Sequence, residues 1–192
     1  RSRGLGDVYK RQDLVLAESL IELSAKKPID KITIKEITDK AGVIRPTFYN
    51  HFQDKYELIE WIIKTELLEP IKPLLNAGMI FEAIVLMLNN ISANSVFYKK
   101  ALKLEGAVTF NQIAMKCVCE MFMNIISEKS TGKKSKYRWL TPEVISTYYA
   151  QSLCFITEGW IAQGMDDIEP KEMAEAYMYL ITRSMDDILS EL

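Results

Sequence analysis

The sequence predicts an all-α fold, with an N-terminal three-helix helix-turn-helix unit followed by a larger C-terminal helical bundle. Apolar residues recur at spacings of three and four from Asp13 onward, and no sustained polar/apolar alternation of strand type appears. Prolines and capping residues fall where helices should begin.

The elements follow in order. Leu16, Leu20 and Leu23 share one stripe of a first helix that Pro28 ends. Thr33 and Glu36 form a capping box, with Ile32 and Ile37 at the positions of a hydrophobic staple, so a second helix runs from Ile34 to about Ala41. Gly42 supplies the left-handed residue that closes it. Pro46 suits the first position of a third helix, to about Phe52, and pushes Arg45 towards an extended conformation. Phe48 and Phe52, four apart, share its buried face. Asp54 and Glu57 cap a fourth helix whose apolar side is Leu58, Ile59, Ile62 and Ile63, and Pro70 and Pro73 interrupt it. Further helices are expected at roughly 77–91, 94–103, 106–129, 142–164 and 170–190, with Thr141-Pro142 and Glu169-Pro170 marking two of the starts. The segment EKSTGKKSKYRWLT reads as a basic loop. Residues 1–12, RSRGLGDVYKRQ, show no helical periodicity and read as a disordered cloning or adaptor scar, which leaves units at 13–60 and 61–192.

Composition narrows the function classes. Of 192 residues, 48% are hydrophobic and 26% charged, close to globular averages. With no apolar run near the roughly 18 residues that span a bilayer, a soluble cytoplasmic protein without membrane contact is expected. Cys117, Cys119 and Cys154 are too few and too irregular for a disulfide framework, and neither a metal site nor a cofactor is expected. The net charge of −2 hides an asymmetry: residues 26–55 carry seven Lys or Arg against four Asp or Glu, while residues 56–192 carry thirteen against eighteen. The positive end holds the short helices.

Two short helices joined by a Gly-containing turn, the second presenting polar and aromatic groups, form a helix-turn-helix pattern, which places its second helix in the major groove of double-stranded DNA. Arg45, Thr47 and Asn50 are the candidates for base edges, because Arg pairs with guanine, Asn with adenine, and the Thr methyl meets thymine. Tyr49, His51, Lys55 and Thr33 are the candidates for phosphate. As a lone histidine, His51 has packing or capping as its lesser alternative.

The run KITIKEITDKAGVIRPTFYNHFQDKYELIEWI resembles the DNA-binding region of TetR-family bacterial transcription regulators, over about fifty residues. The resemblance lies in Ile-x-x-Ile-x-x-x-Ala-Gly-Val, then Thr-Phe-Tyr-x-His-Phe, then Asp-Lys, and it implies DNA contacts from Thr47, Tyr49, His51 and Lys55. Ile44 and Pro46 depart from the family, which often has Ser and Gly there. The run from Arg45 and the helical body also resemble regulators of dihydroxyacetone-kinase operons, a subgroup that includes activators working with a protein partner.

The resemblance further implies a homodimer on a palindromic operator, paired through its last two helices, with an effector pocket in each body. Tyr148, Tyr149, Ser152, Phe155, Ile156, Gly159 and Trp160 on one helix, with Tyr177, Ile181 and Met185 on the next, are the candidate interface; the same faces would also suit packing inside one monomer. Met87, Phe110, Met115 and Phe122 are candidates for the pocket, although Met at helical spacing is also ordinary core. The expected occupant is an unidentified apolar or amphipathic small molecule, or a protein coactivator acts in its place. Repression relieved by ligand is the common family outcome.

An enzyme is not expected: the chain has no P-loop, no Gly-x-Ser-x-Gly elbow, no Cys-x-x-Cys, and a single His. The rival reading is a helical adaptor that works through protein contacts without DNA.

Overall fold

The computed structural model describes residues 3–129 and 135–191, and among them the chain is helical with no strand. Part of the basic loop, residues 130–134, lies outside the described residues, as do residues 1 and 2.

The head is built from α1 (Arg3–Ser24), α2 (Ile34–Ala41), α3 (Arg45–His51) and the start of α4 (Lys55–Ile62). Residues 3–12, expected to be disordered, are helical as the start of α1. Once Leu16, Ala17 and Leu20 anchor the helix in the core, extending it towards its N-terminus adds a hydrogen bond per residue without a new nucleus. A single turn of 3₁₀ helix, Ile29–Lys31, follows Pro28 and buries Ile29.

The capping box is present at the start of α2. The Thr33 hydroxyl accepts from the Glu36 N–H (3.3 Å), and the Thr33 N–H donates to the Glu36 carboxylate (2.9 Å). Ile32 and Ile37 are buried beside it. Gly42 closes α2 at φ 69°, and the Val43 N–H donates to the Thr38 carbonyl (3.0 Å). The tight turn then delivers Ile44 in an extended conformation, so α3 begins at Arg45, one residue before the expected start. Pro46 at the second helical position is tolerated for the same reason as at the first, because neither N–H would have an intrahelical acceptor. Phe48 is fully buried and Phe52 nearly so, which fixes the outward face of α3.

Thr33→Ala is expected to cost about 1 kcal/mol in denaturant melts, as loss of an N-cap does. The partner carboxylate adds a pH signature. Hydrogen bonds from Lys27, then from the Thr33 N–H and hydroxyl, hold the Glu36 carboxyl at about 2, below its ordinary 4.5. Its stabilisation is therefore complete above about pH 4.5 and is lost as the pH falls towards 2. Acid unfolding of Glu36→Gln should lack that component.

Beyond α4 the expected proline break does not occur. The helix widens into a π-helical segment, Ile63–Leu68, and continues as α5 (Glu69–Asn76). Pro70 has no N–H for the Glu66 carbonyl four residues back, and Asn90 supplies the missing donor through its side-chain amide (3.0 Å).

The body comprises α6 (Ile80–Ala93), α7 (Ser95–Ala101), α8 (Phe110–Lys129), α9 (Pro142–Ala162), α10 (Pro170–Thr182) and α11 (Met185–Glu191). The expected single helix over 170–190 is broken: Arg183 is extended, and Ser184 starts α11 by exchanging hydrogen bonds with Asp187 (3.2 Å each way). In the body α8 packs along α9, and α10 packs on α6. Head and body share one apolar core, with α1 packed on α7 and α4 on α8.

Candidate functional site

The outward face of α3 carries Arg45, Tyr49 and Asn50, all exposed, Tyr49 by 57%. Thr47 is half-buried between them and the core. Ile44, 69% exposed at the tip of the turn, is a feature that composition does not reveal, since an isoleucine is ordinarily buried. Thr33 is exposed at the start of α2, although its hydroxyl is engaged by Glu36. These side chains make one polar surface with an apolar tip, held by Phe48 from beneath.

Two candidates are placed otherwise. His51 has a side chain only 4% exposed, with Nδ1 2.6 Å from the Asp13 carboxylate, Nε2 2.9 Å from the Gln12 side-chain oxygen, and its ring beside Tyr9. Lys55 donates to three backbone carbonyls, those of Ile29 (3.0 Å), Asp30 (2.7 Å) and Ile32 (3.2 Å), and burial lowers its pKa. Both side chains bind the head together: His51 ties α3 to α1, and Lys55 ties α4 to the turn before α2. Their spacing matched a phosphate role, but the groups they reach lie up to 39 residues away in sequence, where no local pattern signals them.

An ion network joins head to body. Glu60 on α4 meets Lys64 (2.7 Å) and Lys116 of α8 (2.8 Å), and Lys64 also meets Glu120 (2.7 Å). Burial works against Lys64, but hydrogen bonds to Glu120 and Glu60 raise its pKa above the ordinary range. Burial likewise opposes ionisation of Glu60, whose pKa is nonetheless lowered by hydrogen bonds from Lys116 and Lys64.

On the body, the candidate dimer face divides. Tyr148, Phe155 and Met185 are 63%, 76% and 70% exposed, and Tyr149 is 39% exposed. Ser152, Ile156, Gly159 and Ile181 are half-buried. Trp160 and Tyr177 are instead core residues: the Trp160 indole N–H donates to the Ile168 carbonyl (2.9 Å), and the Tyr177 hydroxyl lies 3.0 Å from that of Ser152. A helix as apolar as α9 has residues for two faces, and periodicity alone did not say which aromatics turn inward.

Two of the cavities in the body are lined by candidate pocket residues. The larger, about 380 Å³, is bounded by α5, α6, α8, α9 and α10 and lined by Met87 and Phe122 among others. The smaller, about 40 Å³, lies between the π-helical segment and α6 to α9 and is lined by Met87 and Phe110. Met115 lines neither, being packed against the core.

Tyr98 and Thr157 border the small cavity, and their hydroxyls are buried without a hydrogen-bond partner among the described residues. Tyr98→Phe is expected to leave the melting temperature unchanged or raise it, because an unpaired buried hydroxyl costs stability. A loss of more than about 1 kcal/mol would show that the hydroxyl is bonded. Burial pushes the Cys117 and Cys154 thiols up to about 12, which makes them poor nucleophiles and metal ligands at neutral pH. Among the described residues no group of three His, Cys, Asp or Glu could hold a metal ion, and no single helix is long and apolar enough to cross a membrane.

Comparison with known proteins agrees with this architecture. Residues 18–62 match the bacterial regulatory proteins of the tetR family, and residues 79–183 match a transcriptional regulator C-terminal region found in TetR-type proteins. The HTH-type dhaKLM operon transcriptional activator DhaS of Lactococcus lactis subsp. lactis is 26% identical over 152 residues, covering 78% of this chain and 79% of that protein. Among solved structures, the dihydroxyacetone kinase operon activator DhaS superposes with a TM-score of 0.62 at 21% identity, covering 88% of this chain and 93% of its own. NalD, the secondary repressor of the MexAB-OprM multidrug efflux pump in Pseudomonas aeruginosa, gives 0.58 at 12% identity, covering 90% and 96%. Catalysis has no place in these matches, which are to regulators throughout. With family matches over both head and body, the chain belongs to the TetR family of bacterial transcriptional regulators.

Proposed function

We propose that this regulator acts as a homodimer that reads a two-fold operator with α3, and that occupancy of the body by an effector or a protein partner sets its DNA affinity. The carrying observation is the exposed Arg45, Tyr49 and Asn50 on a short helix whose opposite side is locked by Phe48. Arg45 and Asn50 are suited to base edges, with Thr47 beside them. Tyr49 and the exposed start of α2 at Thr33 are suited to phosphate. In a dimer the two α3 helices would need to lie about one DNA turn apart, roughly 34–36 Å.

The exposed stripe of Tyr148 and Phe155 on α9 supports pairing of two copies, since large aromatics are enriched at interfaces and rarely so exposed otherwise. The ion network from α4 to α8 supports a rigid link by which the body sets the angle of the head. The relatives are named an activator and a repressor, so the shared fold goes with either sign of regulation.

The test is fluorescence anisotropy of the protein on DNA from its own upstream region, at several salt concentrations. Tight binding that weakens steeply with salt, at two chains per site, is the expected result. Absence of binding at low salt by a folded dimer would overturn this reading and favour the adaptor alternative.

A further inference from the structure

The larger cavity has a chemical character that narrows its ligand. No Asp, Glu, Lys, Arg or His is among the residues lining it, and its walls are aliphatic, thioether and aromatic side chains such as Ile84, Met121 and Leu153. An ionised group placed there would give up its hydration with no opposite charge on the wall, which is costly. At about 380 Å³ the space falls at the small end of pockets that enclose organic ligands, roughly 300–1,000 Å³.

Three hydroxyls belong to the wall, those of Tyr149, Tyr177 and Thr182, and the protons of the last two are directed into the protein. The Ser152 hydroxyl has one proton and donates it to the Tyr149 carbonyl (3.1 Å). The Tyr177 hydroxyl, 3.0 Å from the Ser152 oxygen, is therefore the donor in that pair, which leaves the Tyr177 oxygen with lone pairs to offer. Thr182, also on the wall, donates to the Met178 carbonyl (2.7 Å) and is likewise left as an acceptor. Burial keeps Tyr177 in its neutral form. A ligand that meets Tyr177 and Thr182 on α10 brings a proton of its own.

We infer that the cavity takes an uncharged, mainly apolar small molecule, about the size of one or two fused rings, that presents a hydrogen-bond donor such as a hydroxyl to the Tyr177 oxygen. This rests on the reading of the body as a sensor. The site sits where α10 faces α9 across the cavity, next to the exposed stripe of α9, so occupancy would bear on the same helices that pair two copies.

The test uses the full chain and Nile red, an uncharged apolar dye, with 1-naphthol, 1-methoxynaphthalene, 1-naphthoate and 1-naphthylmethylammonium as competitors. The expected result is displacement by 1-naphthol at least tenfold more effective than by either ion. Tyr177→Phe should weaken 1-naphthol roughly three- to tenfold while leaving Nile red and 1-methoxynaphthalene unchanged, because only the hydroxyl contact is removed. Ile84→Trp, which fills the cavity from α6, should lower dye binding at least tenfold; if it fails to fold, Tyr177→Phe carries the test. Equal displacement by 1-naphthoate overturns the inference, as does equal weakening of the two neutral naphthalenes in Tyr177→Phe. DNA affinity measured on the same samples separates the two readings. Failure of every neutral probe to bind a protein that still binds DNA overturns the cavity assignment and leaves the regulator standing. Binding of 1-naphthol without any change in DNA affinity supports the cavity assignment and removes this ligand class from control of the head.

Discussion

Arg45→Ala and Asn50→Ala are each expected to weaken operator binding at least tenfold, and together at least a hundredfold, while non-specific binding at low salt survives. A bidentate contact to a base edge is worth about 1–3 kcal/mol, and in a dimer every substitution is made at both half-sites. Both side chains are exposed and make no hydrogen bond or ion pair among the described residues, so melting temperatures should stay within a few degrees of the parent. Lys55→Met supplies the contrast. Its ammonium holds three carbonyls of the turn before α2, so its loss should lower stability before it lowers DNA affinity measured on the folded fraction. Anisotropy paired with thermal melts decides between them. Unchanged operator affinity in the Arg45, Asn50 double variant would remove α3 as the reading element.

Phe155→Asp is expected to separate the dimer. Phe155 is 76% exposed on α9, two turns from Tyr148 at 63%, so a carboxylate there does not disturb the folded monomer but, on the proposed pairing face, would place a pair of like charges out of water. Sedimentation should report a monomer with unchanged helix content. Affinity for a two-half-site operator should fall at least a hundredfold, because linking two weak binding events multiplies their affinities by about 10²–10⁴. A variant that still sediments as a dimer would show that another face pairs the copies. Trp160→Ala should instead unfold the monomer, since truncating a buried Trp costs about 3–5 kcal/mol.

The head was largely legible in the sequence because its structure is set by local chemistry. The Thr33 and Glu36 box, the left-handed Gly42 and the Asp54 cap each act over three or four residues, and each occurs where its spacing placed it. The fates of His51 and Lys55 were not legible, because the oxygens they meet come from segments brought near only by folding. Trp160 and Phe155 illustrate the same boundary: five residues apart on one helix, both aromatic, they end up 2% and 76% exposed, and the Ile168 carbonyl that receives the Trp160 indole N–H is brought there only by folding. The break at Arg183 had a local sign, Ser184 followed three residues later by Asp187, which the surrounding apolar periodicity masked. The N-terminal start of α1 had none, since extension of an anchored helix needs no favourable residues of its own.

The π-helical segment gives the connecting helix a property of phase. Ile59, Ile63, Leu67, Ile71 and Leu75 recur at every fourth residue, and all are buried. In a regular helix of 3.6 residues per turn, a fourth-residue stripe advances by about 40° at each step and would wind to nearly the opposite side over this length. The wider turn over Ile63–Leu68, which accommodates one extra residue, takes up about 100° of that winding and keeps the stripe towards the core from head to body. The rotation of the head about this axis is thus keyed to residue count and not only to side chains. Removing Thr65 would let the segment relax to an ordinary helix with both ends still in step, whereas removing one residue within Lys55–Ile62 would turn α3 by about 100° relative to the body.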